Sequence, residues 1–407
     1  MLFDTTRLAW RARRGSPTGI DRVVGAYAAW LAARSDLELV PVALAGESLV
    51  RVSPSRLALP DPPLKGAEAW PALQRALAID APSGPAVRRP MAAQNAADWA
   101  PLAMDMAARM LASPFAGVGA GPVYINVAHT GLHRDGLWAF LKRRRIRPVI
   151  MVHDLIPITH PEFCTPSAGP RHRQRIDNVI DGAALVIANS RNTAEALQAY
   201  AHETGRQSPP IEVAHLGLAE RFLKPNGTTP GRRPYFVFVG TIEARKNLAF
   251  LLTVWRRIAE TLGEDAPHLV LVGRRGWENE AVIDHLERSP RLQNLVHEAA
   301  DLSDDQLAWL LGGARGLLAP SLAEGFDLPP IEALSLGTPV IASDIAVHRE
   351  LSAGAKLIDP LDGPTWAAAI AAACESSPTR RPRPGPTWAE HFERVGPRLS
   401  ALLEDDG

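Results

Sequence analysis

Several side chains in this sequence have the types and spacing to act together. Glu324 and Glu332 flank Pro329-Pro330, eight residues apart. A carboxylate accepts paired hydrogen bonds from a diol, and a helix start between two carboxylates suits an anion. Sugar, phosphate, ribose is the order found in a nucleotide sugar. Arg245 and Lys246 follow the apolar run Tyr235–Val239. Two cations in a loop between a strand and a helix favour a diphosphate through charge-assisted hydrogen bonds. The loop is not a P-loop, because GxxxxGK[ST] is absent. His153, followed by Asp154, ends the run Pro148–Val152, at the strand end where open α/β sheets place ligand contacts. Gly19 and Arg22 lie in TGIDRV at a helix start, and Gly19 permits a close backbone approach. Plainer alternatives stand beside these readings. Glu332 could serve a helix dipole, Glu324 and the Arg-Lys pair could be solvated, His153 could be structural, and Gly19 and Arg22 could belong to a helix cap.

The elements that would hold these groups are legible around them. Gly316–Ala319 is long enough for a buried strand, Pro329-Pro330 and Gly337 bracket a helical pattern over Ile331–Leu336, and Thr338–Ala342 is a second strand. Such a compact βαβ unit forces a parallel sheet, with Glu332 in the helix's first turn. Further strands are expected at Leu2–Leu8, Glu38–Ala45, Val123–Val127, Ala184–Asn189, Ile211–Leu216 and Leu269–Val272. Helices are expected from Thr18 or Asp21 to about Ala33, over Arg171–Ile180, over Asn192–Tyr200 capped by Ser190, and over Leu248–Leu262. Three more follow at Ser303–Leu311, Thr365–Cys374 and Trp388–Leu403. Residues 52–118 have weak periodicity, with helices near 67–78 and 96–112. The glycine run Gly117–Gly121 precedes a strand, the reverse of a dinucleotide loop.

A chain of 407 residues with 46% hydrophobic and 22% charged residues is an ordinary globular protein of two domains or more. The formal charge is zero, so nothing global points to nucleic acid. It is unevenly spread: residues 1–150 carry 19 Lys and Arg against 11 Asp and Glu, a net +8, and the remainder carries −8. A basic first part suits an anionic partner such as a phospholipid surface or a lipid pyrophosphate. Cys164 and Cys374 suggest neither a disulfide framework nor a zinc site. No run reaches the roughly 18 apolar residues of a membrane span, and the start lacks a secretory core. The expectation is a cytoplasmic protein, at most peripheral to the inner face of the cell membrane. The Pro- and Gly-rich stretch Lys224–Pro234 is the clearest linker. Domains are therefore expected over 1–228 and 229–386, with 387–407 a helix crossing back to the first.

The segment E-G-F-x-L-P-x-x-E-A-L-x-x-G-T-P-V-I-A-S, here starting at Glu324, resembles the hallmark of retaining, nucleotide-sugar-dependent glycosyltransferases of family 4. VHDLIPITHPEF around His153, IANSRNT around Ser190 and VGTIEARKN around Lys246 are similar to further segments of that family. TGIDRV resembles the start of its bacterial polysaccharide-assembly subgroup. The resemblance implies the GT-B fold: two Rossmann-like, doubly wound parallel-sheet domains facing a deep cleft. It also implies transfer of a hexose to an acceptor hydroxyl with retention. Glu324 with Gly325 and Phe326 would hold the sugar. Arg245 and Lys246 would neutralise the departing diphosphate, Glu332 would bind ribose, and His153 would lie beside the transferred sugar, with His160 a weaker candidate. Gly19 and Arg22 would touch donor phosphate or acceptor. Thr241 stands where many members have Arg or Ser, which leaves its donor contact open.

No metal and no resident cofactor are expected, since no Asp-x-Asp pair occupies a suitable loop and two basic side chains can do a cation's work. The expected partners are a nucleotide-sugar donor, GDP-mannose foremost, and a lipid-linked or oligosaccharide acceptor of cell-surface polysaccharide synthesis. Two other readings stay open at this point: a GT-B epimerase or phosphorylase, and a non-catalytic nucleotide-sugar-binding scaffold.

Overall fold

The computed structural model describes residues 1–11, 19–52, 69–78, 122–224, 233–300, 302–375 and 379–404. Two sheets organise the chain. The first holds β1 (Leu2–Asp4), β2 (Val40–Ala45), β3 (Ser48–Arg51), β4 (Val123–Asn126), β5 (Arg147–Val152), β6 (Leu185–Ala188) and β7 (Ile211–Val213) in the order β3-β2-β1-β4-β5-β6-β7. The second holds β8 (Tyr235–Val239), β9 (His268–Val272), β10 (Val296–Ala299), β11 (Gly316–Ala319), β12 (Val340–Ser343) and β13 (Lys356–Ile358) in the order β10-β9-β8-β11-β12-β13. All pairings are parallel except β2 with β3. Both sheets thus have the doubly wound order, which reverses between β1 and β4 and between β8 and β11.

The apolar runs read from the sequence are strands covered on both faces. Leu2, Val40, Tyr124 and Ile150 face one cluster, whereas Phe3, Val123, Ile125 and Met151 face another. That second cluster continues through Leu216, Phe222 and Phe326 to Val237, Val270 and Leu317 of the other sheet, so one hydrophobic core joins the two lobes. The final helix, Trp388–Glu404, lies against the helix Gly19–Ala32. Trp30 and Phe392 stack with centroids 4.3 Å apart, and Tyr27 Oη and His391 Nε2 are 2.7 Å apart.

Several expectations needed correction. Leu2–Leu8 is not one strand. The Asp4 carboxylate accepts the Thr6 N–H at 2.9 Å, turning the chain into the helix Thr6–Arg11. β3 was not foreseen; Gly46 at φ 60 allows a two-residue hairpin that adds it antiparallel to β2. The strands expected at Ile211–Leu216 and Thr338–Ala342 are Ile211–Val213 and Val340–Ser343, because Leu218 N–H bonds Pro386 and Thr338 N–H closes on Ala333. Ser190 does cap its helix, accepting the Thr193 N–H. The helix near 67–78 is Ala69–Leu77. Thr18, the helix near 96–112, the glycine run 117–121 and linker residues 225–232 lie outside the described residues.

Phe392→Ala removes an aromatic stack from the junction between the final helix and the first lobe. It should cost about 2 kcal/mol, measured as a fall in Tm; an unchanged Tm would show that these rings do not anchor the helix.

Candidate active site

The reversal in the second sheet brings together two loops distant in sequence. After β8 the chain makes a short turn, Ala244–Lys246, and after β11 it runs through Ser321–Asp327 into the helix Leu328–Ser335. β8 and β11 are neighbours, so the loops leave their carboxyl ends side by side and are tied by Leu322 N–H to the Arg245 carbonyl at 2.8 Å. Arg245, Lys246 and Glu324 therefore meet. Arg245 Nη1 is 2.5 Å from Oε2 of Glu324, and its Nε is 2.6 Å from Glu243. Lys246 Nζ is 2.6 Å from Oε1 of Glu324 and 2.9 Å from Asp327. Among the described residues this buried oxygen of Glu324 is held by Lys246 alone, which leaves it a further acceptor position.

Burial opposes the charge on Lys246, Arg245, Asp327 and Glu243, and the neighbours decide the outcome. Desolvation pulls Lys246 down, but Asp327 and Glu324 hold it above its ordinary value. Burial likewise works against Arg245, outweighed by Glu324 and Glu243. Asp327 is pushed up by burial yet lies far below the usual carboxylate range, because Lys246 and His348 face it. Glu243 is raised, its desolvation only partly compensated by Arg245 and Lys246. Glu243, Asp327 and His348 were not singled out from the sequence. The available signal was an acid between Phe326 and Leu328, where the backbone takes a left-handed φ of 62° that Asp tolerates.

Glu332 is not in the first turn but begins the second, and it is 2% exposed. Its carboxylate receives Arg22 Nη1 at 2.8 Å across the lobes, and Arg22 also pairs with Asp304. Burial raises Glu332 to about 7 against the pull of Arg22. Gly19 lies beside Leu328, and with Arg22, Glu332, Asp304 and Trp388 it lines a cavity of about 240 Å³ between the lobes. The helix start offers a phosphate less than expected: of Leu328, Pro329, Pro330 and Ile331, only the outer two carry an amide hydrogen.

His153 is buried in the first lobe, its Nε2 donating to the Val127 carbonyl at 2.8 Å, and burial lowers its pKa, so the ring is neutral. Gly325 is pressed against it. A Cβ on Gly325 would lie 2.0 Å from the His153 carbonyl oxygen, and the Gly325 carbonyl accepts Ser190 Oγ at 2.7 Å. His153 and Glu324 thus belong to facing walls of one junction. Phe326 is packed in the shared core near His215. Thr241 is exposed, with its methyl group against Gly276, and His160 is bonded to Thr159 and stacked on Phe163. Neither is in the ionic cluster.

Residues 233–376 match the family described as glycosyl transferases group 1, and this part of the chain is such a domain. The chain is 29% identical over 217 residues to the serotype-specific mannosyltransferase WbdA of Escherichia coli, covering 50% of this chain and 26% of WbdA. It is 28% identical over 235 residues to the O-antigen chain mannosyltransferase B of Escherichia coli, covering 55% and 60%. The chain therefore spans from about a quarter to three-fifths of the length of these relatives. The crystal structure of Anabaena HepE with UDP and glucose superposes with a TM-score of 0.61 over 99% of both chains at 15% identity. At that identity the likeness speaks for the fold, which is GT-B.

Arg22→Ala leaves Glu332 buried without its cation and should cost about 2 kcal/mol at pH 8. The loss should shrink as pH falls below about 7, where Glu332 takes up a proton. Adding Glu332→Gln should recover most of it, as urea unfolding of the four chains of the cycle would show.

Proposed function

We propose that this chain is a hexosyltransferase that moves a sugar from a nucleoside diphosphate donor to a hydroxyl of a saccharide acceptor. The observation that carries this reading is the cluster of Arg245 and Lys246 with Glu324 at the point where the strand order of the second sheet reverses. Open α/β sheets bind ligands at that point. Two cations held there by fixed carboxylates are preorganised for the charge that develops on a departing diphosphate. Glu324 spans the same cations, and its buried Oε1 is held by Lys246 alone among the described residues. On donor binding it exchanges a cation contact for a sugar hydroxyl, and the cations pass to the phosphates.

Retention of configuration follows if the diphosphate itself takes the acceptor proton on the face it leaves. Glu324 then orients the sugar rather than attacking it, since it is engaged by a sugar hydroxyl instead of standing free as a nucleophile. Neutral His153, on the facing wall, can accept a hydrogen bond from a sugar hydroxyl at Nδ1, because its one N–H is used on Val127. Glu332 turns from Arg22 to the ribose, and Arg22, released, remains beside the phosphates. No metal is required where Arg245 and Lys246 supply the positive charge. The sugar class follows the names of the relatives: mannose, with GDP-mannose the donor to try first and a lipid-linked or free oligosaccharide of a surface polysaccharide the acceptor. None of the helices among the described residues is long and apolar enough to cross a membrane. Contact with the inner face of the membrane would be peripheral, through the basic first part of the chain.

The test is mass-spectrometric detection of a lengthened acceptor after incubation with GDP-mannose, UDP-glucose or dTDP-glucose. Product without acceptor, or binding without product, would overturn transfer in favour of isomerisation or a passive scaffold. Glu324→Gln should lower turnover at least about a hundredfold while leaving nucleotide affinity intact or tighter, because both cations lose a competing carboxylate; wild-type turnover would remove Glu324 from the site. EDTA should leave the rate unchanged, and loss of activity restored by Mg²⁺ would overturn the metal-free mechanism.

A further inference from the structure

We propose that His348 is a third cation of the diphosphate site, a positioning residue that acts on Lys246 through Asp327. The inference rests on the nucleotide-sugar reading above and deepens it. It starts from hydrogen-bond direction. His348 is 1% exposed on the short helix Ala346–Leu351 that follows β12. Its Nδ1 lies 2.8 Å from the Ser343 carbonyl oxygen, and its Nε2 lies 3.0 Å from Oδ2 of Asp327. A carbonyl oxygen only accepts. Asp327 also faces Lys246 Nζ at 2.9 Å through Oδ1, so its carboxyl is ionised and accepts at both oxygens. With an acceptor at each ring nitrogen, both nitrogens carry hydrogen, and His348 is an imidazolium.

The charge count of the cluster then closes. Glu243, Glu324 and Asp327 face Arg245, Lys246 and His348, three anions against three cations. When Glu324 turns to a sugar hydroxyl, Lys246 still rests on Asp327, whose charge is balanced from the other side by His348. The positive charge of Lys246 is then available to the incoming diphosphate. With a neutral imidazole the Asp327 carboxylate would be balanced by Lys246 alone and would repel the phosphates. Asp327, with its left-handed backbone, presents one carboxylate to two cations, one from the turn Ala244–Lys246 and one from the helix Ala346–Leu351.

Burial lowers the affinity of His348 for its proton, but the hydrogen bond and charge of Asp327, the Ser343 carbonyl and Glu324 outweigh it and raise its pKa. A histidine raised in the folded state contributes fully below the ordinary histidine range, and that contribution is lost as pH rises through the folded value. Other groups share this field. Lys246, Arg245 and Glu324 lie beyond Asp327, Glu350 is two residues along the same helix, and Glu332, on the helix that Asp327 precedes, titrates at about 7.

The experiment uses the full chain and nucleotide sugars, GDP-mannose and UDP-glucose, whose phosphodiester groups do not titrate near neutrality. Ring-nitrogen NMR of the wild type, assigned by difference from His348→Gln, should show both His348 nitrogens protonated at neutral pH; a neutral tautomer there overturns the proposal. Calorimetry across pH should show wild-type affinity falling about tenfold as His348 deprotonates. His348→Gln should bind about tenfold more weakly at low pH and lose that step, while any step belonging to Glu332 persists. Asp327→Asn, which tolerates the same backbone, should move the step to lower pH. An identical pH profile in wild type and His348→Gln would overturn the role. If the wild type binds neither nucleotide sugar at any pH, the nucleotide-sugar reading fails, while the NMR titration still decides the charge of His348.

Discussion

The ion pair on which this site depends is that of Lys246 with Glu324 and Asp327. Removing an ammonium from water is expensive, and two carboxylates within hydrogen-bonding distance are what make its burial tolerable. The arrangement explains much around it. The turn Ala244–Lys246 must be tight enough to send Arg245 and Lys246 to the same carboxylate. The loop after β11 must return under it, and Asp327 must adopt a backbone conformation that most residues avoid. A hydrophobic substitute for the trio could fill the space and even stabilise the lobe. It could not exchange partners with an incoming anion, and that exchange is what the proposed transfer uses.

The second constraint is the junction of the lobes. Gly325 and His153 touch through backbone, so the loop after β11 in one sheet is set against the carboxyl end of β5 in the other. Two polar contacts frame this point. Arg22 reaches from the first lobe to Glu332, and Glu350 reaches from the second to the helix starting at Arg191, where its oxygens accept the Arg191 and Asn192 N–H groups at 2.7 and 3.0 Å and His215 at 2.9 Å. Carboxylates at a helix start gain from the dipole and from unpaired amides. The lobes are therefore joined by a continuous core and by charged contacts at its rim.

Much of the architecture was legible because buried parallel strands are near-continuous apolar runs. Tyr235–Val239, Gly316–Ala319 and the helix Leu248–Leu262 came out with the boundaries read from their residues. Polar strands were read less well. β1 ends after Asp4 because a side-chain hydrogen bond turns the chain, a local event that a hydropathy pattern does not register. β3 owes its place to a glycine turn, and its short run carries little periodicity. The double proline before Ile331 was read as a helix start, and it is one, but the same prolines remove two of the amide hydrogens that an anion would use.

By itself the sequence determined which groups were candidates. Arg245, Lys246, Glu324 and His153 each follow a strand-like run, and ligand-facing loops in parallel sheets leave the carboxyl ends of strands. Only the tertiary structure decided which of them meet. Whether Glu332 is a solvated helix residue or the partner of Arg22, 310 positions away, depends on how two lobes pack. That His348 carries a proton depends on which acceptors surround its two nitrogens, and those come from β12 and from the loop after β11. Hydrogen-bond direction and desolvation are properties of a position in space, and residue order fixes them only once the chain has folded.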